Sequence, residues 1–154
     1  KKQLNLLSYF CLMNCQKVNF DSPWIVQIYE LRQNELRTPL GLNLFEEDLL
    51  SEREELFFIG TANDTILSCL QLRKVGEHTL KLRQMATASS AQAKGYGKEL
   101  VQFAEEWSKN NGYQAIELHA RKVAQGFYER LGYEKVGEEF LEVELPHYKM
   151  SKKL

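Results

Sequence analysis

Midway along the chain, the loop Gln92-Ala93-Lys94-Gly95-Tyr96-Gly97 marks a change in hydrophobic period. Residues 80–88 before it read as a strand. Residues 98–109 after it carry Leu100, Val101, Phe103, Ala104 and Trp107 on one face of a helix. A strand, a glycine turn and a helix start bring several backbone N–H groups to one point, and the helix terminus adds partial positive charge there. This arrangement builds an anion site, and a pyrophosphate is the obvious guest.

The rest of the chain supplies the frame. Residues 17–20 alternate weakly as a first strand. Asp21-Ser22-Pro23 signals a helix start, a capping side chain followed by proline. Trp24, Ile25, Ile28, Tyr29, Leu31 and Arg32 continue that helix to about Arg37, and Pro39 and Gly41 end it. Leu44, Phe45, Leu49 and Leu50 among acids predict a second short helix over 44–51. Strands follow at 56–62 and 66–75, joined by a turn at Asn63-Asp64, and at 80–88 after Gly76-Glu77. Beyond the helix at 98–109 come a strand at 114–120, a helix at 123–131 stopped by Gly132, and closing strands at 133–136 and 141–150. The order predicts one α+β domain over 1–154, with a mixed, mostly antiparallel sheet of about six or seven strands and about four flanking helices. Trp24, Tyr29, Trp107 and Phe57-Phe58-Ile59 are expected inside. The acid-rich stretch 48–55 is expected to be a solvated helix end.

Composition narrows the function classes. A net charge of −1 gives no broad electrostatic case for nucleic acid. No run reaches the roughly 18–20 apolar residues that span a bilayer, so no membrane partner is expected. Cys11, Cys15 and Cys69 are an odd set at irregular spacing. They read as free thiols in a reducing, cytoplasmic compartment, with no metal site. Lys1-Lys2 and the apolar run to Met13 lack a cleavage pattern. Met13 is read as the natural start and residues 1–12 as an extension.

Three phosphate loops compete for residues 92–97. A Walker A loop requires Gly-Lys-Ser/Thr, but Gly97-Lys98 is followed by Glu99, and Gln92 occupies the position of its first glycine. A Rossmann fingerprint requires three glycines in a parallel βαβ unit; two glycines are present and the strands before them form a meander. The remaining spacing is Gln/Arg-x-x-Gly-x-Gly/Ala. In this loop the chain resembles the Gcn5-related N-acetyltransferases (GNAT). Met85-Ala86-Thr87 before the loop matches that family too, as does Ala124-x-x-Phe127-Tyr128-x-x-Leu131-Gly132-Tyr133 after it. The tail Pro146-His147-Tyr148-Lys149-Met150 resembles a bacterial subgroup that includes ElaA-like proteins. The likeness covers about 18–154.

The resemblance implies a three-layer fold whose sheet splays between the strand ending near Ala88 and the strand at 114–120. Acetyl-CoA would lie in that gap, its pantetheine pairing with the backbone of Met85, Ala86 and Thr87. The N–H groups of Gln92, Ala93, Lys94, Gly95, Tyr96, Gly97 and Lys98 would hold the pyrophosphate. Arg121, Ala124 and Phe127 would complete the cofactor side. Tyr128 would be the general acid that protonates the leaving thiolate. The acceptor is a small-molecule or peptide amine, attacked directly in a ternary complex without an acyl-enzyme. Residues 79–90 contain no carboxylate to act as base. The candidates are His119, which lies off the Ile116/Leu118/Ala120 face, His147, Glu139 and Glu142. The acidic run from Glu138 to Glu144 otherwise reads as a solvated strand edge or an attractor for a cationic acceptor. Family members often dimerise, so a homodimer is an expectation. The alternatives are an acyl-CoA-binding regulatory module without turnover and a protein-interaction domain with an empty cleft.

Overall fold

Strands β1 (Asn14–Val18), β2 (Leu56–Ala62), β3 (Thr65–Lys74) and β4 (Thr79–Thr87) form the expected antiparallel meander. These assignments come from a computed structural model that describes residues 12–154. Cys11 and nearly all of the segment read as an extension lie outside the described residues. β5 (Ala115–Arg121) joins β4 in parallel, which makes the sheet mixed. β8 (Leu145–Lys153) pairs antiparallel with β5, and the short β6 (Glu134–Lys135) and β7 (Phe140–Glu142) both pair with β8. The order across the eight-stranded sheet is β1-β2-β3-β4-β5-β8-β6, with β7 also on β8.

Among the described residues three α-helices cover it: α1 (Ile25–Arg32), α2 (Tyr96–Asn110) and α3 (Gln125–Arg130). On one face, Leu100, Val101 and Ala104 of α2 and Tyr128 of α3 pack with Leu80, Leu82, Ile116 and Leu118. On the other, Ile28 and Leu31 of α1 pack with Phe57, Ile59, Cys69 and Ala86. The result is three layers, as the alternation of β2 to β5 requires. Each fully buried Leu or Phe in these clusters contributes roughly 1.5–3 kcal/mol.

Several elements differ from their sequence expectation. The first helix does not run to Arg37: regular α turns stop at Arg32, followed by a π turn over Gln33–Arg37 and a 3₁₀ turn over Thr38–Leu40, ended by Gly41 at φ +69°. The Gln33 side chain explains the break. Its amide donates to Thr38 Oγ1 and to Leu42 O and accepts from Leu44 N, which ties this turn to the following loop. The helix expected over 44–51 is two 3₁₀ turns, Leu44–Glu46 and Leu49–Glu52. Two capping side chains five residues apart, Asn43 and Asp48, each start a new turn. The strand expected over 141–150 is split by a hairpin turn at Val143-Glu144, with φ of +48° and +63°. The acid-rich stretch is not a solvated end: Glu52 and Glu55 are buried beside Arg32 and Arg83. Phe57, Phe58 and Ile59 are fully buried as expected, whereas Trp24, Tyr29 and Trp107 sit half-buried at the edges.

Candidate active site

The backbone pairing of β4 with β5 is confined to Thr79–Leu82 against Ala115–Leu118. Past that point β4 continues to Thr87 and β5 to Arg121, and the two diverge. The cause is a slip in strand register. Between Cys69↔Ala86 and Gln71↔Arg83 the β3–β4 register slips, so Gln84 and Met85 oppose the single residue Leu70. This is a β-bulge, with Gln84 at φ +54°. Two side chains hold it. The Cys69 thiol donates to Gln84 O (3.8 Å), and Arg37 donates to Gln84 Oε1 (3.0 Å) while also pairing with Glu47 (2.6 Å). The strand bends and a cleft of about 1350 Å³ opens between β4 and β5.

Met85, Ala86 and Thr87 line this cleft along the β4 edge, and Arg121, Ala124, Phe127 and Tyr128 line its other wall. The glycine loop closes one end. Ala93 (φ +61°) and Gly95 (φ +82°) are both left-handed, which turns successive N–H groups toward one point. Gly95 has open space where a Cβ would stand. At Gly97 a Cβ would lie 3.1 Å from Met85 Cε and 3.2 Å from Thr87 Oγ1, so a side chain there makes both neighbours give way by a few tenths of an ångström. The start of α2 has no side-chain cap, leaving its first N–H groups to face the loop. Gln92, Gly97, Tyr96 and Lys98 border the cleft; Lys94 instead donates to Ser90 O (3.4 Å).

The loop is anchored by a residue that sequence reasoning missed. Glu35, on the π turn after α1, accepts from Ser89 N (3.0 Å), Ser89 Oγ (2.6 Å) and Gln92 Nε2 (3.3 Å). Gln92 Nε2 also donates to Thr87 O. Nothing in the local pattern around Glu35 signals this contact, which crosses more than fifty positions of sequence.

Tyr128 is buried on the α2/α3 side, packed edge-on against Phe127 and Tyr133. Burial raises its phenol pKa well above the ordinary tyrosine value, so it stays protonated. The histidines stand on the opposite face. Ile116, Leu118 and Ala120 point into the α2/α3 core, so the alternation of β5 turns His119 and Arg121 the other way. Glu142 then joins the two histidines: its carboxylate is 3.0 Å from His119 Nδ1 and 3.4 Å from His147 Nε2. Phe140 lies edge-on to His119 and stacked on His147. Burial pushes the Glu142 pKa up, but the His119 hydrogen bond and the electrostatic influence of His119, His147 and Lys81 outweigh it, and the net shift is downward. Glu139 is not part of this set; it pairs with Lys122 (3.0 Å) and does not line the cleft.

The thiols are not poised for nucleophilic work. Burial pushes Cys69 up to about 12 and Cys15 to about 11. Among the described residues no cluster of His, Cys, Asp and Glu has the arrangement to hold a metal. No described helix is long and apolar enough to cross a membrane.

A mixed sheet opened by a bulge, with a glycine loop at the start of a helix feeding the opening, fits the acetyltransferase class of α+β protein. The family model described as "Acetyltransferase (GNAT) family" matches residues 23–133, and the chain belongs to that family. A Bacillus subtilis (strain 168) protein provisionally named an acetyltransferase is 40% identical over 82 residues, covering 53% of this chain and 55% of the relative. The chain thus spans about half the length of the Bacillus subtilis relatives it matches. Among solved structures, a provisionally named N-acetyltransferase from Lactobacillus plantarum superposes with a TM-score of 0.83 at 26% identity, covering 92% of this chain and 98% of that one. Escherichia coli ElaA superposes with a TM-score of 0.80 at 15% identity, covering 92% and 99%, which shows a shared fold.

Proposed function

We propose that the protein is an acetyl-CoA-dependent N-acetyltransferase that transfers acetyl to a primary amine of a small molecule or peptide, by direct attack in a ternary complex. One observation carries this reading: the uncapped start of α2 and the left-handed Ala93 and Gly95 converge N–H groups at the mouth of the β4–β5 cleft, with Tyr128 buried in its wall. These residues fit the donor. The N–H groups of 92–98 match a pyrophosphate, and the unpaired β4 edge at Met85–Thr87 matches the amides of pantetheine. Tyr128, kept neutral by burial, is the proton donor to the thiolate. Alignment of amine and thioester supplies much of the rate. The tail 146–150 supports placement near the ElaA-like subgroup.

Calorimetry with acetyl-CoA, followed by an amine panel read by free-thiol release, tests the reading. Binding with turnover is expected. Binding without turnover on any amine favours an acyl-CoA-sensing module, for which the lack of a carboxylate in β4 speaks. No binding rejects the donor assignment.

A further inference from the structure

Transfer to an amine requires a group that takes the nitrogen's proton, and the β4 strand holds no carboxylate for it. The described structure offers a different source, on the face of the sheet opposite Tyr128. His119 is the first residue of β5 beyond the last paired position, Leu118, so it stands at the apex of the cleft. Its Nδ1 lies 3.0 Å from Glu142 Oε1. A nitrogen lone pair pressed against a carboxylate oxygen is repelled, so Nδ1 carries the hydrogen and donates it to Glu142. Lys81 Nζ stands 3.4 Å from the same nitrogen, a contact that only an unprotonated Nδ1 could accept, and the shorter, charged Glu142 contact takes precedence over it. A neutral His119 in this tautomer has its lone pair on Nε2.

His147 fixes the carboxylate from the other side. It is buried, its Nδ1 donates to Leu145 O (2.8 Å), and its Nε2 faces Glu142 Oε2 (3.4 Å). Glu142 therefore has one oxygen for each imidazole, and the Phe140 ring lies against both. The remaining charges facing His119 are Lys81 and Arg83 on β4, Glu117 on β5 itself and Lys149 on β8, the last two paired with each other (3.4 Å). Arg83 is taken by Glu55 (2.6 Å).

We propose that His119 is the general base of the transfer and that Glu142, braced by His147, is the positioning residue that sets its tautomer. The proposal rests on the N-acetyltransferase reading. It also assigns the two faces of the sheet: the acyl donor is served from the α2/α3 face, and the acceptor amine enters from the His119 face. In the step, the amine nitrogen attacks the thioester carbon, a C–N bond forms and the C–S bond breaks. The surplus proton on nitrogen passes to His119 Nε2, and the departing thiolate takes the phenol proton of Tyr128. Both residues return to neutrality through solvent, so one proton moves in net from amine to thiol. A carboxylate behind the imidazole orients it and stabilises the imidazolium that forms.

The test compares wild type, His119→Asn and Glu142→Gln on an amine that wild type acetylates, with acetyl-CoA affinity as the check on folding. His119→Asn is expected to lower kcat about 100-fold or more, to remove the acidic limb of the kcat profile, and to leave the acetyl-CoA Kd unchanged. Glu142→Gln keeps an acceptor for His119 Nδ1 without the charge, and is expected to lower kcat by less than His119→Asn does, with the acetyl-CoA Kd again unchanged. A His119→Asn enzyme that keeps both the rate and the acidic limb overturns this proposal alone. Wild type that transfers acetyl to no amine overturns the underlying reading and this proposal with it. If His119→Asn fails to fold, nitrogen-15 NMR of the wild-type protein with CoA bound decides: a protonated Nδ1 and free Nε2 on His119 are expected, and the opposite neutral tautomer overturns the proposal.

Discussion

Tyr128 and the histidine set answer the same need, a proton in a defined place, by opposite means. Tyr128 is held neutral by burial alone, whereas His119 is held in one tautomer by a charged partner. Replacing Tyr128 with Phe removes the hydroxyl and little else. The expected result is a fall in kcat of about 100-fold with acetyl-CoA affinity within twofold, measured by steady-state kinetics beside calorimetry. Equal loss of both would assign Tyr128 to packing. Tyr128 was legible in the sequence because the segment Ala124-x-x-Phe127-Tyr128-x-x-Leu131-Gly132-Tyr133 resembles the family's; its helical spacing alone reads as a packed face. The bond from His119 to Glu142 was not. It is made across a hairpin whose turn, Val143-Glu144, lacks the glycine or asparagine that marks a left-handed pair. Read as one continuous strand, that stretch gives no reason to place Glu142 beside β5.

At the scale of elements, the site depends on where β4 bends and on what holds the loop after it. The alternating pattern of residues 80–88 is that of a regular strand, and no glycine announces the bulge at Gln84. The Arg37 and Cys69 contacts that hold it come from other elements. The loop itself was legible from its two glycines. Its tether was not, since Glu35 sits in an ordinary helical sequence. Glu35→Ala is expected to weaken acetyl-CoA binding about tenfold, roughly the worth of one charge-assisted hydrogen bond, with the melting temperature nearly unchanged because Glu35 is on the surface. Gly97→Val pushes a branched side chain against Met85 and Thr87 and is expected to abolish measurable binding. Both are checked by calorimetry against thermal melting, which separates a damaged loop from a damaged fold.

Across the whole molecule, one ion cluster joins the acid-rich loop to the sheet. Arg32 meets Glu52 in a two-pronged pair (2.8 and 3.0 Å), Gln71 donates to the same carboxylate, and Glu55 takes Arg83 and Arg73. Removing one partner strands a buried charge, so Glu52→Ala is expected to cost about 3–5 kcal/mol, read as a lower urea midpoint. Acid acts through a different pair. The Arg37 hydrogen bond and charge, aided by Arg32 and Arg83, hold the Glu47 pKa below its ordinary value despite the opposing effect of burial. A depressed folded-state value gives stability that is fully present above the unfolded carboxylate pKa and is lost as pH falls through the folded one. The melting-temperature gap between wild type and Glu47→Gln is therefore expected to be small, since the pair is partly exposed, and to close as pH drops below about 4.

The meander and the mixed sheet were legible from periodicity and element order, because each strand buries a face that has to alternate, whereas the three layers and the splay between β4 and β5 came from the family resemblance. The charge cluster was hidden because acids beside apolar residues read as surface until Arg32 is seen facing inward. The central claim is that the β4–β5 cleft holds acetyl-CoA by its loop, and the most direct measurement is a calorimetric titration of acetyl-CoA into wild type and Gly97→Val. A single site per chain in wild type, lost in a variant that still melts cooperatively, is the predicted result. Absence of binding in wild type, or equal affinity in the two proteins, would contradict it.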